Sequence, residues 1–528
     1  MDNGEDSGSG GVGASGGSNG VGGIASSSGG LVGVGGASSS SGGALAAAGG
    51  AQAGSTNVGG QSASGGNAGG GQFTSGGNAS GGQSPSGGSA SGGYASGGTA
   101  SGGSASGGVA SGGQSASGGT SASGGQSQGG SAGSVSSNVT DVIRVQVNYD
   151  AKSKQYQLGF AVREHSGTAA LQKRALRTDS LGSFIGTLLE PGTQTVVYQQ
   201  TIGTGYYYRE LARAFTFRFP ARTAPFTFRM TAENAVSGAQ ERVVDETIDP
   251  KTLSELPTAS VETKMIKQAS ASPKLVMPIY AEGYLQARKD AFFADASSVA
   301  NLLSTANFPG AANFEIVAVW SASNHTLGDV GKAGVVPTQD TALGLSFPVW
   351  SGISGPDLII YPTDENKLRS ALAQVPYDYP LVIVDDNRYW GVGNYNMYTA
   401  VPAHNSNVNG LLSHEMGHFF GLNEEYGGQE TELAFAPGIA EPWSQNITFQ
   451  TQRAQIKWGD LIESSVAIPT PTSTWTSGKK IGAYRGGYPN DSRSLIPVPD
   501  TVCRMSSGND FCAVCRRAIQ AKVAFDGQ

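Results

Sequence analysis

The chain has 528 residues, 81 of them glycine, and a formal net charge of −7. It contains no run of lysine or arginine, which argues against nucleic acid as a partner. No stretch approaches the ~18 apolar residues that a membrane-spanning helix needs.

Residues 1–138 are rich in Gly, Ser and Ala, and their only charged residues are Asp2, Glu5 and Asp6. Such a segment cannot bury enough apolar surface to offset its conformational entropy, so disorder is expected. Between residues 86 and 116 the units SGGSA, SGGYA, SGGTA and SGGVA recur with no apolar period. They read as a flexible tether with random-coil reach, suited to surface attachment. The opening MDNGEDSGSG has neither a basic n-region nor an apolar h-region, so no signal peptide is visible. The tether points to an extracellular or cell-surface location with a leader upstream of Met1. A cytosolic protein with a floppy tail is the alternative.

At Asp141 the texture changes. In DVIRVQVNY, Ile143, Val145 and Val147 share one face of a strand. TQTVVYQQ, Phe215–Phe219 and Phe226–Met230 alternate in the same way. Short alternating runs separated by turn residues predict an antiparallel β-sandwich over residues 139–265. The polar stretch Thr247–Pro273 reads as a linker to a second domain, residues 266–528.

In that second domain LVMPIY is a short buried strand. A helix follows, with Phe292, Ala296, Val299 and Leu303 on one face. Strands Phe314–Trp320, Asp357–Tyr361 and Leu381–Asp385 are expected next, with a helix over Asn366–Ala373 and an edge strand over Asn396–Val401. A helix over about Val408–Phe420 carries the principal motif. The fold class is therefore α+β or α/β: a mixed, largely parallel sheet with helices packed on it.

Residues 413–426 read SHEMGHFFGLNEEY. His414 and His418, four apart, share one helix face. Val408, Leu411, Leu412, Met416 and Phe419 supply the stripe that buries the helix. Two neutral imidazoles at this spacing can hold one Zn²⁺, leaving room for a third ligand and a water. Glu415 is placed to take a proton from that water as general base. Only five histidines occur in the chain, and two fall in this motif. Gly421 lets the chain turn sharply out of the helix and return to the metal. Ten residues after His414, where metzincins have a third histidine, stands Glu424, a carboxylate able to bind zinc. Glu425 is the alternative third ligand, and Glu430, Glu432 and Glu441 are more distant ones. Met505, in the turn CRMSSG, is the candidate Met-turn residue of a metzincin-like domain. Tyr426 either hydrogen-bonds a zinc ligand or caps the turn.

Cys503, Cys512 and Cys515 fall within thirteen residues. One local disulfide is the favoured reading. A structural zinc site is the other, but it lacks an evident fourth ligand. A substrate cleft is expected between the active helix and the edge strand Asn396–Val401, where an extended peptide could add to the sheet. Tyr389, Trp390 and Tyr395, in a Gly-rich loop just before it, either line that cleft or simply pack the loop.

On these residues the chain resembles the IgA-peptidase family of zinc metallopeptidases. The matching pieces are SHEMGHFFGLNEEY, AEGY at Ala281–Tyr284 with FFADA downstream, VDDNRYWGVG, and the C-terminal CRM and FCAVCRRAI. The resemblance covers about residues 274–528. It implies a metzincin-like zinc endopeptidase exported from a bacterium, with His414, His418 and an acid of Glu424–Glu425 binding zinc and Glu415 as base. Two departures concern the third ligand: Glu424-Glu425-Tyr426 stands where the family has Asp-Glu-Tyr, and the spacing from His418 is one residue shorter. The expected activity is hydrolysis of protein or peptide substrates by a monomer. The competing reading is a surface-tethered binding protein with a vestigial or structural zinc site, against which an intact Glu415 argues.

Overall fold

A computed structural model describes residues 139–528 other than 151, 175–180, 204–213, 235, 328–339, 348–359, 363, 427–439, 476–479 and 488–491. The expected tether, residues 1–138, lies outside the described residues, as do Glu430, Glu432 and most of the expected strand Asp357–Tyr361.

The N-terminal part is built from β1 (Thr140–Asp150), β2 (Gln155–Gly167), the short helix α1 (Ala169–Lys173), β3 (Phe184–Leu189), β4 (Val196–Ile202), β5 (Ala214–Pro220), β6 (Phe226–Glu233) and β7 (Gln240–Ile248). Two antiparallel sheets result, ordered β2-β1-β5 and β4-β3-β6-β7. Ile143, Val145 and Val147 are fully buried, as their alternation requires. Phe217 of β5 meets Phe228 of β6 with ring centroids 5.7 Å apart, and Phe184 of β3 meets Phe215 at 4.1 Å. The two sheets thus share one apolar core.

The opposite face of β1 is buried as well, where alternation alone would place it in water. Arg144 pairs with Glu164 of β2 and donates to Asn366 Oδ1 at 3.3 Å. Arg218 of β5 donates to the Tyr377 carbonyl at 3.0 Å, with its guanidinium 3.5 Å from the centre of the Tyr377 ring. The C-terminal part covers this face, and charge pairing and hydrogen bonds offset the desolvation of the arginines.

The C-terminal part contains β8 (Glu262–Lys267), β9 (Leu275–Glu282), α2 (Lys289–Thr305), β10 (Phe314–Trp320), β11 (Leu345–Ser346), β12 (Tyr361–Pro362), α3 (Glu365–Leu372), β13 (Leu381–Val384), β14 (Val392–Asn394), β15 (Tyr398–Pro402), α4 (Val408–Phe419), β16 (Tyr484–Arg485), β17 (Leu495–Ile496) and α5 (Ala513–Asp526). Six of these strands form one sheet, ordered β14-β15-β13-β9-β10-β8. Its four inner strands are parallel, and the two outer ones, β8 and β14, run antiparallel to their neighbours. This is the mixed, largely parallel sheet expected from the sequence. Every residue of β9 is buried. Met277 and Ile279 join a core with α2, α4 and α5, whereas Tyr280 joins the core on the other face. A sheet covered on both sides demands such continuous apolar strands.

Two expectations require correction. Thr247–Pro273 is not merely a linker, because it contributes β8, which pairs with β10. The segment Asn396–Val401 is not at the sheet edge, since β15 pairs with β13 on one side and β14 on the other. The true edge, β14, is three residues long, too short to show a period in the sequence. Among the described residues no helix is long and apolar enough to cross a membrane.

Candidate metal centre

Helix α4 lies against β14 and β15, with Leu411, Leu412, Met416 and Phe419 buried beneath it. The predicted stripe therefore seats the helix. Two close approaches fix its position. A Cβ added at Gly393 would stand 1.9 Å from the Glu415 carbonyl oxygen, and one at Gly391 would stand 2.4 Å from Glu415 Oε1. The glycines of VDDNRYWGVG thus let backbone pass directly along the motif-bearing helix. Asp386 of the same segment braces that loop, accepting hydrogen bonds from the Trp390 indole at 2.8 Å and from Arg388 Nε at 2.9 Å. Trp390 and Tyr395 are fully buried. Of the two readings for these residues, their burial favours packing of the loop; Tyr389 alone of the three is exposed, at 60%.

After Phe419 the chain leaves the helix through Gly421, whose φ of 89° lies in the left-handed region. The Leu422 amide donates to the Gly417 carbonyl at 3.0 Å, closing a Schellman-type cap. The turn brings Glu424 back to the imidazoles. His414 Nε2 lies 3.1 Å from Glu424 Oε2, His418 Nε2 lies 3.0 Å from Glu424 Oε1, and the two Nε2 atoms are 3.1 Å apart. His414, His418 and Glu424 thus offer one ligand atom each around a common point.

Each imidazole is oriented from behind. His414 Nδ1 donates to the Arg504 carbonyl at 3.0 Å, and His418 Nδ1 donates to the Leu422 carbonyl at 3.0 Å. A carbonyl can only accept, so the proton sits on Nδ1 and the Nε2 lone pair is free to face the centre. Glu424 Oε2 is buried without a well-formed hydrogen bond to any of the described residues. Donors on a tetrahedral zinc would lie ~3.3 Å apart, given Zn–N and Zn–O lengths of about 2.0–2.1 Å. The observed spacing fits such an ion.

The electrostatics agree. Burial would lower the pKa of both imidazoles, but Glu424 outweighs it and raises them, His414 to about 10. Burial would raise Glu424, but His418 and His414 hold it well below the usual carboxylate range. The trio therefore calls for positive charge at its centre. Glu415, buried beside it, has its carboxyl pushed up by desolvation.

Met505 lies under α4, where a Cβ at Gly417 would stand 2.3 Å from its sulfur. Its carbonyl accepts from the Glu425 amide at 2.8 Å. Tyr426, 41% exposed, lays its ring near-parallel to that of His414, with centroids 6.3 Å apart. Glu441 turns away, accepting from the Phe449 amide at 2.8 Å.

Glu425 points elsewhere, into a buried cluster with Cys503, Cys512 and Cys515. All three cysteines are free thiols, which corrects the expected disulfide. The carboxylate the cysteines seemed to lack comes from 90 residues away. Asn446 also went unnoticed in the sequence. It accepts from the Asn423 amide and donates to the Asn423 carbonyl, both at 2.8 Å, and donates to Glu425 Oε1 at 2.9 Å, pinning the returning strand. Nothing local in the sequence marks it, because its partners are more than twenty residues off.

Other pieces of the resemblance prove to be braces. Tyr284 of AEGY donates to Asp295 of FFADA at 2.8 Å. Glu282 accepts from Thr341 Oγ1 at 2.6 Å and from the Leu343 and Leu345 amides at 2.7 and 2.8 Å.

No curated protein matches the chain. Residues 263–477 match the IgA peptidase M64 family, and that span holds His414, Glu415, His418 and Glu424. The part of the chain that carries the centre therefore resembles a family of metallopeptidases.

Proposed function

We propose that this protein is a zinc-dependent endopeptidase acting on protein or peptide substrates. The observation that carries the reading is the convergence of two Nε2 lone pairs and a half-buried carboxylate on one point, with Glu415 alongside. A borderline-soft dication suits two imidazoles and a carboxylate. Bound there, zinc would supply Lewis acidity to a carbonyl and to water. His414, His418 and Glu424 would hold it. Glu415 takes the proton of the attacking water on its carboxylate. It then hands that proton to the amine nitrogen as the peptide C–N bond breaks and the new C–O bond forms. The raised carboxyl of Glu415 suits it to both transfers. A substrate main chain lying beside β14 would pass Glu415, since Gly391 and Gly393 bring that strand against the helix.

The same reading assigns residues 266–528 to a metzincin-like catalytic domain with Met505 as its Met-turn, and residues 139–265 to a β-sandwich-like module. Residues 1–138 would tether a monomeric enzyme outside the cell.

The test is the Glu415→Ala variant. It should retain about one zinc at the histidine centre and lose hydrolysis of an unfolded protein substrate. Wild-type activity in that variant would overturn the mechanism.

A further inference from the structure

We propose that Cys503, Cys512, Cys515 and Glu425 form a second, structural zinc site. These residues lie outside the catalytic trio, and the three cysteines lie beyond the span matched to the peptidase family. Each offers one ligand atom, and the four atoms lie within 4.8 Å of one another. Cys503 Sγ and Cys515 Sγ are 3.6 Å apart. A disulfide would require about 2.05 Å. The sulfur–sulfur edge of a tetrahedral thiolate zinc site is ~3.8 Å, from a Zn–S length of about 2.3 Å. The observed spacing is that of co-ligands.

Glu425 gives the independent observation. It is fully buried, its Oε1 accepts from Asn446 at 2.9 Å and lies 3.0 Å from Cys515 Sγ, and its Oε2 has no hydrogen-bond partner among the described residues. A buried carboxylate oxygen without a partner is costly unless it coordinates a metal. Three thiolates select zinc over harder dications. With four protein ligands the coordination shell is closed, so the site is structural and not catalytic. Three thiolates and a carboxylate leave a net charge of about −2 on the occupied site. Backbone amides soften that charge: Cys512 N–H donates to Cys503 Sγ at 3.3 Å and Cys515 N–H to Cys512 Sγ at 3.5 Å, both at the start of α5.

The site has a mechanical role. It clamps Cys503 and Glu425, which flank the contacts supporting the catalytic trio. Arg504 supplies the carbonyl behind His414, and Met505 supplies the carbonyl that receives the Glu425 amide.

The proposal is independent of peptidase activity and can be tested without it. The full-length double variant His414→Ala/His418→Ala, purified without chelator, should carry about one zinc per chain by elemental analysis. Adding Cys512→Ser and Cys515→Ser should remove it. Cobalt exchanged into the His414→Ala/His418→Ala protein should give an intense near-ultraviolet thiolate-to-cobalt charge-transfer band. In case the variants do not fold, the wild-type protein unfolded in chelator without reductant should expose all three thiols to a thiol reagent. A double variant free of zinc, or a single reactive thiol from a disulfide, would overturn the site.

Discussion

Glu424 and Glu425 are consecutive in the chain, yet their carboxylates enter different donor clusters. Glu424 lies 3.0 and 3.1 Å from the two imidazoles, whereas Glu425 Oε1 lies 3.0 Å from Cys515 Sγ. The segment after Leu422 is neither helix nor sheet, and the two carboxylates leave it toward different clusters. One short stretch of backbone thus braces the histidine centre from one side and the cysteine cluster from the other.

Substitutions at these two residues should separate. Glu424→Ala should weaken metal binding at the histidine centre by at least about 100-fold, measured by competition with a chromogenic chelator. Glu425→Gln should hold the ion at that centre within about tenfold of wild type. Equal losses in both variants would contradict the division of labour.

The contact of β14 with α4 tolerates no side chain. Gly393→Ala would place a Cβ 1.9 Å from the Glu415 carbonyl oxygen, and backbone cannot step aside as a flexible side chain can. The strand must move off the helix, at an expected cost of about 1–3 kcal/mol in stability. Because Glu415 and His418 sit at that contact, kcat/KM should fall as well. A melt and kinetics equal to wild type would show that the strand relaxes freely.

Asp378 is a buried junction between the two parts of the fold. It accepts from Thr168 Oγ1 at 2.7 Å, from Arg174 Nη2 at 3.0 Å and from the Val276 amide at 2.9 Å. Asp378→Ala would leave a largely buried guanidinium short of a partner, although Asp526 still lies 3.5 Å from it. The expected loss is on the order of 3 kcal/mol in urea unfolding. A loss below about 1 kcal/mol would mean that Asp526 compensates in full.

Glu282 should make stability depend on pH. Desolvation raises its carboxyl to about 7 against an ordinary 4.5, despite donors from Thr341, Leu343 and Leu345. The folded state therefore prefers the proton more than the unfolded chain does. That contribution is complete below about pH 4.5 and is lost as pH rises through about 7, a change of about 3 kcal/mol. Glu282→Gln cannot titrate, so wild type should lose about 3 kcal/mol relative to the variant as pH rises across this window. A difference flat with pH would show that the ionised carboxylate is already fully accommodated.

Much of the centre was legible because its logic is local. His414 and His418 are one helical turn apart, and Gly421 permits the return that delivers Glu424. The partners behind the imidazoles were not legible. Arg504 O lies 90 residues from His414, and no local pattern encodes that meeting. The cysteine cluster was misread for the same reason, its carboxylate being equally remote. For Trp390 and Tyr395 the sequence left cleft lining and loop packing open, and the bond from the Trp390 indole to Asp386, which no local pattern encodes, favours packing. In the sheets, Ile143, Val145 and Val147 announced one buried face of β1. Burial of Arg144 on the other face follows from packing against α3, which a period-two pattern cannot reveal.

The carbonyl behind His414 also sets an order of events during synthesis. His414, His418 and Glu424 leave the ribosome about eighty to ninety residues before Arg504 and Met505, the residues that orient one imidazole and lie under the helix. A nascent chain that has made the motif still lacks the turn that steadies it. Orientation of His414 therefore waits on that turn, so on the proposed function the metal centre is completed after its own motif has been made and not along with it.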